Sequence, residues 1–77
     1  MSKDLDADFK SLKAGTVLIK KFPDNAAGKP KVQGCGVVFS YKDSADYGWD
    51  IAIINGNIYT RNNTAGGIGT WGAIDTK

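Results

Sequence analysis

The apolar positions fall into six short groups separated by runs of Gly, Pro, Asn, Asp and Lys. In the first group Leu5, Phe9 and Leu12 recur at helical spacing, which makes one face of a helix over residues 4–14 apolar. Asp4 can cap that helix. Asp6 and Asp8 suit the positive end of its dipole, and Lys10 and Lys13 the negative end. Gly15 is placed as the stop beyond it. About ten residues make a marginal helix in isolation, so this one must dock on something.

The other groups are β-branched or alternate with polar residues, and they read as strands. They cover residues 16–22, 37–41, 49–54, 57–61 and 70–74. In the second strand Val37, Phe39 and Tyr41 share a face. In the third, Trp49, Ile51 and Ile53 alternate with Asp50 and Ala52. Residues 24–31, 42–48 and 62–69 are loops by composition. Asn55-Gly56 between two alternating runs is a strong hairpin signal. It calls for a two-residue turn with positive φ at both central positions. The pattern predicts a mainly β fold of the α+β kind: a small antiparallel sheet of about five strands with one short N-terminal helix. No room exists for several parallel crossovers, and no long-period repeat is present.

Length and composition narrow the function classes. The 77 residues make one domain, 1–77, which buries only ~60% of the surface of its unfolded chain. Cys35 is the single cysteine and histidine is absent, so neither a disulfide nor an imidazole site supplements the core. Oligomerisation is the common remedy left. A net charge of +2 on scattered lysines argues against a nucleic-acid interface. No run approaches the ~18 apolar residues of a membrane span, and the charged N-terminus lacks the apolar stretch of a secretory signal. Synthesis in the cytoplasm, without membrane insertion, is the expectation.

Candidate chemistry is sparse. Gly67-Ile68-Gly69-Thr70-Trp71-Gly72 matches a dinucleotide fingerprint in form, but no helix can follow it. Asn62-Asn63-Thr64 matches a glycosylation sequon that matters only in a secreted eukaryotic protein. Asp43, Asp46 and Asp50 lie close together without a cleft to face across, so they read as surface carboxylates. They lack the ligand series of a calcium loop, and no metal or cofactor is assigned. Cys35 has no base to activate it and reads as a small buried hydrophobe. Trp49 and Trp71 read first as core or intersubunit packing. Tyr41, Tyr47, Tyr59, Arg61 and Trp71 are the candidate binding residues, a flat and partly polar patch of the kind found at interaction hot spots. Taken alone, Arg61 reads as a structural residue that donates to carbonyls of the loop 62–69. The chain reads as a non-enzymatic binding or assembly module.

The C-terminal stretch sharpens that reading. Ile58-Tyr59-Thr60-Arg61, a glycine-rich loop and Gly69-Thr70-Trp71-Gly72-Ala73 resemble the closing motif of pyocin-knob-like modules of bacteriophage tail fibres and related virion proteins. Asp4-Leu5, residues 12–15 leading into a strand, the Asn-Ala-Ala-Gly-Lys-Pro loop and Gly36-Val37-Val38 follow in the order of such modules. Ile74 stands where they often carry a second Trp, and Asp50 where they often carry Gln. The resemblance implies a virion component, homotrimeric, on a tail fibre, baseplate or capsid surface. Its partners would be a host surface glycan or other virion proteins. The rival from another class is a small phage-encoded inhibitor that blocks a host protein in the cytoplasm.

Overall fold

In the computed structural model, which describes residues 4–74, the chain is mainly β: a five-stranded antiparallel sheet with one short helix. The elements are α1 (Leu5–Ser11), β1 (Thr16–Phe22), β2 (Gly36–Ser44), β3 (Tyr47–Ile54), β4 (Asn57–Asn63) and β5 (Gly72–Ala73). Strand order follows chain order, so the sheet is a meander with no crossover. The Asn55-Gly56 turn is as expected, with φ of 52° and 79°. It pairs Ile54 with Asn57 and thereby sets every pair of the β3–β4 ladder.

Because side chains alternate, the register sorts them onto two faces. The inner face carries Phe22, Val38, Ala52, Ile54 and Tyr59 toward one end. Toward the other end it carries Ser40, Lys42, Asp50, Arg61 and Asn63, while Lys20 stands on the edge strand in the row of Val38, Ala52 and Tyr59. The loop over residues 23–35 closes the apolar end with Ala26 and Val32, and Leu5 of α1 joins that cluster. The same helix covers the polar end by charge. Asp8 pairs with Lys20 and Asp6 with Arg61, the Lys10 carbonyl accepts from Lys42 Nζ at 3.0 Å, and that ammonium lies 4.9 Å from the centre of the Phe9 ring. Buried Phe9 therefore packs against Lys42 while that ammonium keeps its hydrogen bond.

Several boundaries differ from expectation. Asp4 does cap α1, its Oδ1 accepting from the N–H of Asp6 at 3.0 Å and of Ala7 at 3.4 Å. The helix ends at Ser11, because Leu12 turns extended (ψ 142°) and the Gly15 N–H bonds the Lys42 carbonyl at 2.6 Å to start β1 in register. Sheet pairing overrides helical periodicity there. Strand β2 runs on to Ser44 and β3 starts at Tyr47, joined by a tight turn with a bulge near Lys42–Ser44. The loop after β4 is ordered by paired backbone bonds between Thr64 and Gly67 at 3.0 and 2.9 Å. Strand β5 has two residues instead of five, since Trp71 leaves the ladder to reach inward. Cys35 is exposed, not buried, because it lies in the loop before β2. The expected tail, residues 75–77, lies outside the described residues.

Candidate functional site

Arg61 lies at the centre of the inner face, held there by its pairing opposite Asp50. Its Nε donates to Asp50 Oδ2 at 2.7 Å, and Nη1 donates to Asp6 Oδ1 at 2.6 Å and to the Gly28 carbonyl at 3.2 Å. Asn63 Nδ2 adds a second bond to the same Asp50 oxygen at 3.0 Å. The side chain of Arg61 is 2% exposed and that of Asp50 1%. Arg61 Nη2 and Asp50 Oδ1 make no bond. One is a donor and the other an acceptor, the two atoms that a side-on bidentate pair joins. One guanidinium thus answers two carboxylates, the buried Asp50 and the 38% exposed Asp6, and locks α1, β3, β4 and the 23–35 loop together. Asp50 is accordingly no surface carboxylate, contrary to expectation. Nor does Arg61 hold the 62–69 loop; that task falls to Asn63, whose Oδ1 accepts from the Gly69 N–H at 3.0 Å.

Trp71 closes the lock. Its Nε1 donates to the Gly28 carbonyl at 2.7 Å, and its ring lies 4.5 Å from the Arg61 guanidinium carbon. One carbonyl, that of Gly28, thus accepts from both Arg61 and Trp71. Gly28 can present it because φ is 76° there, and a Cβ would stand 2.6 Å from Asp6 Oδ1. Beside this group opens a cleft of about 390 Å³, lined in part by Lys29, Lys31, Arg61, Ile68, Thr70 and Trp71. Lys29 is engaged by the Val32 carbonyl and by Asp24. Among the described residues no cluster of His, Cys, Asp or Glu could hold a metal ion.

The outer face differs in kind. Cross-strand neighbours form three rows: Val17, Tyr41, Trp49 and Asn62; Ile19, Phe39, Ile51 and Thr60; Lys21, Val37, Ile53 and Ile58. Val17 and Ile19 are 61% and 62% exposed, and Trp49 and Ile53 are 41% and 37%. Ile74 extends the third row, its N–H bonding the Ile58 carbonyl at 2.9 Å. Tyr41 and Trp49 rings meet at 5.6 Å between centroids. The Tyr41 hydroxyl donates to Asp43 Oδ1 at 3.1 Å. That hydrogen bond, then the Asp43 charge, then slight desolvation hold the phenol above its usual value of 10.0.

The five candidate binding residues therefore do not form one patch. Tyr59, Arg61 and Trp71 lie on the inner side, Arg61 buried and the other two half-buried against the core. Tyr41 and Tyr47 belong to the outer face, where Tyr47 is 50% exposed. Trp49, expected in a core or interface, joins them on the face it shares with Val37, Phe39, Ile51 and Ile53. The signal was present in the hairpin: a two-residue turn at Asn55-Gly56 places Arg61 opposite Asp50 and so on the face that Trp49 does not share. No helix of the described residues is long and apolar enough to cross a membrane. Comparison with protein-family models, with curated protein sequences and with solved structures finds no match to this chain.

Proposed function

We propose that this chain is a non-enzymatic docking module of a bacteriophage virion, a component of a tail fibre, baseplate or capsid surface that binds another protein through the outer face of its sheet. The observation that carries this reading is the distribution of apolar side chains. Leu5, Phe9, Phe22, Val38 and Ile54 are the large buried ones, whereas Val17, Ile19, Trp49, Ile53 and Ile74 stand exposed. A contiguous exposed face of that character marks an interaction surface. Its aliphatic middle favours protein over glycan, because a sugar needs polar partners beside its stacking rings and the central row offers only the Thr60 hydroxyl.

The virion assignment draws on the closing motif. Tyr59, Arg61 and Trp71 serve the fold in this chain, and a motif kept for folding is what a reused structural module carries. The test is mass spectrometry of purified virions with absolute copy number. Presence at a stoichiometry matching tail or capsid proteins is expected. Absence from particles, with recovery of the chain on a host enzyme from infected cytoplasm, would replace this reading by the inhibitor.

A further inference from the structure

We infer that the occupant of the outer face is a second copy of this chain, stacked face to face about a twofold axis. This rests on the docking reading above and names its partner. Four strands ~4.8 Å apart, each ~7 residues at ~3.4 Å rise, give a face on the order of 450 Å² in plan. Two such faces, with side-chain relief, remove on the order of 1,000–1,200 Å² from water, the threshold of a specific interface. A second copy matches that area by construction, and it completes the two-layer arrangement that a sheet with one bare face lacks.

The placement of charge supports the same partner. The central row, Ile19, Phe39, Ile51 and Thr60, carries no charge. Lys21 lies at one end of the face, in register with Val37, and Asp43 lies at the other, bonded to Tyr41. A twofold axis along the central row reverses the strands of the second copy. It sets the Lys21 end of each copy over the Asp43 end of the other, so the favourable pairing occurs twice. The uncharged central rows meet in the middle, where Ile19 is 62% exposed, and the exposed Val17, Trp49 and Ile53 flank it in the rows on either side. Such a contact is isologous and closes at two copies. A trimer uses two different patches on each chain, and no second patch is required here.

The test is sedimentation equilibrium of the full chain up to about 200 µM, with affinities converted in the usual way. Four proteins are compared: wild type, Ile19→Glu, Lys21→Asp, and the exchange Lys21→Asp with Asp43→Lys. Far-UV circular dichroism shows that each is folded; Ile19 and Lys21 are exposed, so their substitution leaves the core intact. Expected are two chains per particle for wild type, loss of association by at least tenfold in Ile19→Glu, a several-fold loss in Lys21→Asp, and recovery in the exchange. A wild-type monomer, a mass of three chains, or a dimer indifferent to Ile19→Glu would overturn self-pairing. A wild-type monomer that Ile19→Glu nonetheless excludes from virions leaves the docking reading standing. An Ile19-dependent dimer absent from virions supports self-pairing and removes the virion assignment.

Discussion

Replacing Asp50 by alanine should come close to unfolding this domain. Asp50 is fully buried and accepts from Arg61 at 2.7 Å and from Asn63 at 3.0 Å. Its removal leaves a guanidinium with a 2% exposed side chain whose remaining ion-pair partner is Asp6, and it strands the Asn63 Nδ2 group. Breaking one side of a buried ion pair costs about 3–5 kcal/mol. A chain of this size has about 4–12 kcal/mol in all. At roughly 4–8 °C per kcal/mol, the midpoint of thermal unfolding should fall by at least about 12 °C. Urea denaturation followed by tryptophan fluorescence measures the loss. A companion variant separates a charge effect from a packing effect. Asp50→Leu with Arg61→Met removes both charges and should recover most of the stability, since a well-packed apolar pair replaces a buried ion pair at little cost. A loss below about 1 kcal/mol in Asp50→Ala, or a double variant worse than the single, would refute the reasoning.

Three further outcomes follow from the same contacts. Trp71→Phe loses the hydrogen bond to Gly28 but keeps a ring over Arg61, and should cost about 1 kcal/mol by urea denaturation; Trp71→Ala should cost about 3 kcal/mol or more. Gly56→Ala places a Cβ at φ 79° with nothing else within 4 Å, so its loss of about 1–2 kcal/mol, read as a lowered midpoint, reports backbone conformation alone. Ultraviolet titration should find Tyr41 ionising above pH 10.0, and Asp43→Asn should bring that step down. The raised value contributes stability that is present below pH 10.0 and lost as pH rises through the folded value, because the unfolded chain gives up its proton first.

Much of the fold was legible because it rests on local rules. The Thr16–Phe22 strand and the Asn55-Gly56 hairpin follow from β-branched runs and from residues that tolerate positive φ. The Asp4 cap follows from a short acceptor ahead of an apolar period. The candidate patch was less legible, since it grouped residues by chemical type without carrying the hairpin register across to the faces. Arg61 and Tyr59 follow Asp50 and Ala52 to the inner side, whereas Tyr41 pairs with Trp49 on the outer one.

The sequence by itself determined a mainly β chain, its turns and its alternation, all of which depend on neighbours a few residues apart. Only the tertiary structure decided which alternating set is covered. A half-apolar strand looks the same whether its apolar side meets a core or a partner, and that choice depends on where a distant helix lands. Here α1 docks by Asp6, Asp8 and Phe9 on the side bearing Lys20, Lys42 and Arg61, because those charges need partners there. The opposite side, richer in isoleucine and valine, is therefore left facing outward.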